Sequence, residues 1–395
     1  MERKYEFTNE TKEVNNHILH RIKALKDFGD VNKGDLGGWL EKESNLSHEG
    51  TCWVSENAGV YDNAEVFSRA RVTGDSMVYG DAWVTSSAHI CDTAQVYGKA
   101  SIGGTAKVYE HAQVYDEASI GGNAEVYGNA QVYDEASIGG NAKVYGNARV
   151  YDTAWIVGEA STGDNAKVYG NAQVYDKASI GGTAQVYGNA EVYDTAQVYG
   201  NARVSDDASI RGTAEIYGNA VVYDDAQVYG NARVFNDVFI GGTTEVYGNA
   251  RVYGEASIGG NAKVYGNARV YGNARVYDTA WVVGEASIGG NAKVYGDAEV
   301  FEGASVGGNA QVYDKASIGG TAQVYGNAQV YGIAKVYNDA RVSDDAQVYD
   351  NAQVLDDASI GGTAKVYGNA KVYGDAQVYG NARVENESIV DIAVV

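Results

Sequence analysis

From Val54 onward every sixth residue of the chain is aliphatic, and that period leaves little choice of fold. Positions 54, 60, 66 and on to 390 number 57, and all are Val or Ile except Thr162. A second slot lies at 58, 64, 70 and on to 388, and its 56 positions are Ala except Ser76, Val238, Thr244 and Ser388. No insertion interrupts this spacing.

An amphipathic helix returns its apolar face about every 3.6 residues, so a period of six does not describe one, whereas β-branched residues in every core slot favour extended backbone. Within the hexad Ala–x–Val–Tyr–Gly–Asn, Ala and Val are two apart and share one side of a strand. The x residue (Gln, Lys, Arg or Glu) and Tyr share the other. Gly or Asp followed by Asn is expected to turn the corner, since Gly and Asn both tolerate φ > 0. Strands of about four residues joined by tight bends predict a solenoid.

Three hexads per coil give a triangular prism whose narrow interior takes one aliphatic and one Ala per side. The sequence supports eighteen independently, because Tyr115–Val132 and Tyr133–Val150 match closely at that spacing. "YGNARVYDTAW" at 145–155 returns at 271–281, seven times eighteen residues on. "KASIGGTAQVYGNA" at 177 returns at 315, which is no multiple of eighteen, so the hexad is the elementary copy unit. The 57 hexads then make 19 coils. At about 4.8 Å per coil a rod of about 90 Å is expected. Proline, which would remove ladder donors at each coil, is absent.

The spacing of Val60 to Ala64 and Ile102 to Ala106 resembles the hexapeptide repeat of left-handed parallel β-helices, best known from acyltransferases. Residues 20–58, "HRIKALKDFGDVNKGDLGGWLEKESNLSHEGTCWVSENA", more specifically resemble the YdcK-type bacterial β-solenoid proteins. The expected fold is therefore all-β, a single-stranded left-handed parallel β-helix of triangular section. Its handedness is implied by the resemblance alone.

Residues 1–53 lack the register and are expected to cap the solenoid of residues 54–395. Asn15-Asn16 between β-compatible runs signals a hairpin, while Ile18, Ile22 and Leu25 would equally suit one helical face. Trp39 and Trp53 are expected to plug the apolar mouth of the first coil. At the far end "SIVDIAVV" would fold over the last coil or meet a partner.

The chain carries 30 basic and 52 acidic side chains, a net charge of −22. A surface this acidic repels phosphate backbones, so no nucleic-acid or anionic-membrane partner is expected. "MERKYEF" lacks the apolar run of a secretory signal, and no segment has about 18 uninterrupted apolar residues. Cys52 and Cys91 make neither a disulfide framework nor a metal quartet. A cytoplasmic location is expected.

The resemblance to hexapeptide acyltransferases implies a histidine base beside a loop projecting from the coils, with acyl-CoA between subunits. Of five histidines, His17, His20 and His48 fall in the cap, His89 in an outward x slot and His111 in a corner. With no insertion after Val54 there is no projecting loop to shelter a base. No catalytic, cofactor-binding or metal-binding residue is therefore assigned, and His48, His89 and His111 stand as the candidates of an enzyme reading. "SIGGNA" is neither a dinucleotide nor a P-loop motif, and Gly103, Gly121 and Gly139 replace the outward Tyr. Corner residues Asp116, Asp134 and Asp152 offer one carboxylate each, where Ca²⁺ wants six to eight oxygens, and read as a solvated acidic edge.

All tyrosines but Tyr5, 31 of 32, occupy the slot after the core aliphatic and should point outward. At spacing eighteen, Tyr61, Tyr79, Tyr97, Tyr115, Tyr133, Tyr151, Tyr169 and Tyr187 form an unbroken column, and Tyr277 to Tyr367 a second. Rings about 4.8 Å apart can stack. Trp83, Trp155 and Trp281 fall by the same count on one face. The leading functional expectation is a non-catalytic scaffold, with a homo-oligomer, protein or glycan partner on the tyrosine faces. An acyl- or acetyltransferase and a glycan- or protein-binding rod are the alternatives.

Overall fold

The hexad bends because one backbone position in six is left-handed. In the computed structural model, which describes residues 2–395, that position directly follows the tyrosine slot: Gly98 has φ 68° and Asp116 φ 55°. The expected Gly–Asn corner is thus corrected in its division of labour. Gly or Asp takes the positive φ, and the following Asn stacks in an amide ladder, Asn129 Nδ2 donating to Asn147 Oδ1 and Asn147 Nδ2 to Asn165 Oδ1. Asp tolerates the left-handed region because its short polar side chain finds a local partner. Asp152 Oδ2, for example, accepts from Gly170 N at 2.9 Å, in the next coil.

Regular strand in most hexads covers two residues, x and the aliphatic, and reaches the expected four in only a few, such as Glu215–Gly218. The ladder nevertheless continues around the corner. Gln95 N donates to Ala112 O, Tyr97 N to Val114 O and Lys99 N to Asp116 O, at 2.9, 3.0 and 2.7 Å.

The chain divides into two compact units, Met1–Thr195 and Ala196–Val395. In the first, Gln95 pairs with Gln113, Ser101 with Ser119 and Lys107 with Glu125, one pairing on each of three parallel sheets. In the second, Arg275 pairs with Lys293, Trp281 with Glu299 and Ser287 with Ser305. Every offset is eighteen, so three hexads make one turn of a β-solenoid. Val and Ala of each hexad fill the interior of each unit, Val96 and Ala94 being fully buried. Among the described residues there is no α-helix, and no helix long and apolar enough to cross a membrane.

The register does not reach Val390 as the sequence count suggests. Lys371 pairs with Ser388 and Val372 with Ile389, a spacing of seventeen. Ile389 therefore takes the core place, and Val390 is exposed.

Before the coils, β1 (Tyr5–Val14) and β2 (His17–Ala24) form an antiparallel hairpin. Its turn residues Asn15 and Asn16 have φ 50° and 67°, the region that hairpin turns require and asparagine tolerates. β3 (Leu36–Leu40) pairs antiparallel with β2 and parallel with Gly59–Val60, which joins the hairpin to the first coil. Trp53 is buried beside Phe28 and Tyr5. Trp39, by contrast, is only half-buried, its Nε1 donating to Asn57 Oδ1 and Lys12 and Arg21 resting over its ring.

A charged clamp ties this segment to the first coil. His17 Nδ1 lies 3.0 Å from Glu41 Oε1, and its Nε2 lies 3.4 Å from Asp62 Oδ1. Glu41 Oε2 also accepts from Asp62 N at 2.6 Å. The hydrogen bond to Glu41 raises the His17 pKa above its ordinary 6.5, with Asp62 adding to it, and the bond from His17 lowers that of Glu41. The His17 contribution is complete below its unfolded pKa and is lost as pH rises through the higher folded value. That of Glu41 is lost as pH falls through a folded value below 4.5. The clamp is thus strongest between these limits. Hydrogen exchange of the β1 and β2 amides, corrected for intrinsic rate, should quicken as pH rises above 6.5, and His17→Gln should remove that step.

The core holds one conspicuous defect. Ser76 and Thr244, in alanine slots, donate to Thr73 O and Gly241 O. Thr162, in an aliphatic slot between Val144 and Ile180, is fully buried, and its Oγ1 has no partner. Thr162→Val should raise stability by about 1–3 kcal/mol in urea unfolding, the cost of an unsatisfied buried hydroxyl. Ser76→Ala should bring no such gain.

Candidate functional site

Coils that repeat every eighteen residues place like side chains over one another. In the first unit the rings of Tyr61, Tyr79, Tyr97, Tyr115, Tyr133, Tyr151, Tyr169 and Tyr187 stack at 4.8–5.0 Å, with planes within 5°. In the second unit the rings from Tyr277 to Tyr367 do the same at 4.9–5.1 Å.

These rings are half-buried rather than fully outward, except Tyr61, which is buried against His17. Neighbouring rings strip water from one another, and burial pushes the Tyr79, Tyr115 and Tyr151 phenols up to about 12. Tyr169 OH donates to Gln185 Oε1 at 3.2 Å, so the x slot of the adjoining coil supplies a polar partner.

Two short stacks end on glycine. Tyr145 tilts 14° from Tyr127 and lies over Gly163, where a Cβ would overlap the ring. In the second unit Tyr271 tilts 12° from Tyr253 and covers Gly289 in the same way. Gly121, in the middle of the Gly103–Gly121–Gly139 run, has open space where its side chain would stand.

The structure does not gather the candidate histidines into one site. His48 lies within the N-terminal segment, its ring stacked on Tyr5 at 4.4 Å. Its Nδ1 accepts from Lys4 N, which assigns the proton to Nε2, a buried nitrogen with no partner. Burial lowers its pKa. His111 is paired through Nδ1 to Thr93 Oγ1 at 2.6 Å in a corner ladder. His89 lies 3.1 Å from Thr73 Oγ1, and burial, then Lys107, lowers its pKa.

Of the three, His89 alone lines a groove. That groove, of about 600 Å³, opens between the Asp30–Leu36 loop and the first coils, and Trp53, Glu56, Arg71 and Thr73 share its wall. Arg71 is paired with Asp30 across it. A neutral imidazole beside a hydroxyl, with a cation and a carboxylate at hand, could accept a proton from a bound nucleophile.

Two further clusters carry no sequence signal. Lys4 is fully buried, its Nζ donating to Cys52 O at 2.9 Å and lying 3.1 Å from Cys52 Sγ, and burial lowers its pKa. Burial raises both thiols, Cys91 to about 11, so neither is a ready thiolate. His17, Glu41 and Asp62 bring three ligand-type atoms within 4.8 Å of one another and could hold a cation. Both ring nitrogens, however, already face carboxylates.

Exposed Trp83 and Trp155 share one sheet of the first unit, and exposed Trp281 lies in the second. Beside Trp155 a shallow cleft of about 310 Å³ includes Val157, Gln173 and Tyr175. Asp116 and Asp134 take left-handed φ, and Asp134 Oδ2 accepts from Asp152 N at 3.3 Å. Asp134 and Asp152 thus hold neighbouring coils together, beyond the solvated edge expected of them.

Comparison with known proteins places this architecture. The YdcK Beta solenoid repeat matches residues 196–212, 226–242, 262–278, 268–284 and 376–390. A protein of Escherichia coli (strain K12) named "Uncharacterized acetyltransferase YdcK" is 40% identical over 63 residues. That stretch is 16% of this chain and 19% of the relative's length. The repeat matches, this relative and the eighteen-residue parallel coils together make the chain a YdcK-type β-solenoid.

Proposed function

We propose that the chain is a non-catalytic scaffold that associates with further copies of itself through its tyrosine stacks. The carrying observation is the column from Tyr61 to Tyr187, eight near-parallel rings at 4.8–5.0 Å. Half-buried phenols offer rigid apolar edges with a polar tip, the character of residues enriched at protein interfaces. A uniform ring spacing also lets two copies align ring for ring, as a self-complementary interface requires. The corner carboxylates of Asp116, Asp134 and Asp152 follow the tyrosines in sequence, and the net charge of −22 opposes close approach. Salt should therefore strengthen association by screening that repulsion.

Sedimentation should show concentration-dependent assembly that grows with ionic strength. Replacing Tyr97, Tyr115 and Tyr133 together by Ser should abolish it while circular dichroism still shows a folded solenoid, the unfolding midpoint falling as four ring contacts are lost. A parent that stays monomeric at every concentration and salt would sink the reading.

The groove at His89 supports a second reading, an acetyltransferase, in line with the printed name of the relative. Its support is a neutral His89 beside Thr73 Oγ1, with Arg71, now paired with Asp30, close enough to exchange that carboxylate for an anionic donor. On this reading calorimetry detects acetyl-CoA binding to the full chain, and His89→Ala removes transfer to an amine acceptor while sparing binding. Absence of acetyl-CoA binding at millimolar donor would discard it.

A further inference from the structure

In-register stacking lets opposite charges meet at several places. Lys107 faces Glu125, which also meets Lys143, and Lys263 faces Glu245. Elsewhere in the second unit it sets like charges over one another, as at Arg275 and Lys293, and one such run borders a groove. Arg233, Arg251 and Arg269 lie in register on three successive coils of one sheet, followed by Ser287. Arg233 is paired with Glu215 at 3.3 Å. Arg251 and Arg269 are exposed, adjacent, and make no ion pair among the described residues.

The neighbouring corner column is built of amides. Asn231 Nδ2 donates to Asn249 Oδ1 and Asn249 Nδ2 to Asn267 Oδ1, at 3.0 and 3.1 Å. At Asn267 the ladder stops, its Nδ2 having no acceptor among the described residues, and the next coil places Glu285 in that column. Asn249, Arg251, Asn267, Arg269 and Glu285 line a polar groove of about 330 Å³. The groove thus offers two guanidinium forks, an unspent amide donor and one carboxylate acceptor.

We infer that this groove binds an acidic sugar unit, a hexuronate within a glycan. Two stacked guanidinium groups repel each other when empty and accept a carboxylate in bidentate geometry, which relieves that repulsion. Asn267 and Glu285 then take the sugar hydroxyls, as donor and acceptor. Glu285 sets the class of ligand. A sulfate meets its negative charge with nothing to donate, and hydrogen phosphate brings a second negative charge with its single O–H, whereas neutral ring hydroxyls donate to it without that repulsion. This site is independent of the tyrosine stacks and of the groove at His89, and neither earlier reading requires it.

The test is calorimetric titration of the full chain with an oligogalacturonate, with a neutral galactose oligomer of equal length and with inorganic phosphate. The uronate oligomer should bind and the neutral one should not, and affinity should fall as salt rises. Arg251→Gln and Arg269→Gln should each weaken binding about tenfold or more, the loss expected of one charge-assisted bidentate contact. Arg341→Gln, exposed in the same column farther along, should change nothing, and circular dichroism should show all three variants folded. Failure of the uronate to bind, or undiminished binding by the Arg251→Gln/Arg269→Gln double variant, overturns the proposal. Phosphate bound as tightly as the uronate overturns the sugar assignment.

Discussion

The backbone ladder between successive coils is the constraint on which everything else rests. Each hexad sends three N–H groups to the coil that follows, as Gln95, Tyr97 and Lys99 do to Ala112, Val114 and Asp116. Satisfying those donors fixes the offset at eighteen residues through nearly all of both units, and a one-residue slip would carry every valine out of the core. Stability in such a fold is the sum of neighbour contacts, so no single coil is indispensable. One misplaced polar group, such as the Thr162 hydroxyl, is therefore tolerated where a small globular core would register it strongly.

The ladder also dictates what the surface can be. Residues eighteen apart face one another whether or not their chemistry agrees, which yields tyrosine stacks, asparagine ladders and carboxylates that reach the next coil's N–H. The same rule leaves Arg251 beside Arg269. Two of the shorter columns end on glycine. At Gly163 and Gly289 the last tyrosine tips onto the exposed backbone of the next coil, covering surface that a side chain would otherwise occupy.

Where the repeat holds, the sequence is a reliable guide, because identity of slots means identity of environments. The eighteen-residue coil, the Val and Ala interior and the tyrosine columns are all countable from residue names. Three details escape the count. The left-handed residue is Asp152 and not the residue after it, because the aspartate's reach to the next coil becomes evident only once the coil offset is known. Val390 is displaced by Ile389, because "SIVDIAVV" offers two aliphatic residues in succession and only backbone pairing chooses between them. Trp39 is half-buried under Lys12 and Arg21 and does not plug the mouth, since its place depends on how β3 joins the first coil.

Outside the repeat, legibility falls away for a physical reason. Lys4 sits in "MERKYEF", where composition suggests a solvated residue, yet its ammonium is enclosed between Cys52 and Phe28. His17, Glu41 and Asp62 are up to 45 residues apart and meet because a hairpin, the end of β3 and an early corner converge. A periodic chain can be read by counting because its contacts recur at one separation. The N-terminal segment has no such separation, and its titratable groups are paired by topology. Chemistry that depends on unlike groups meeting, the groove at His89 included, therefore concentrates where the repeat begins, whereas the coils mostly bring like to like.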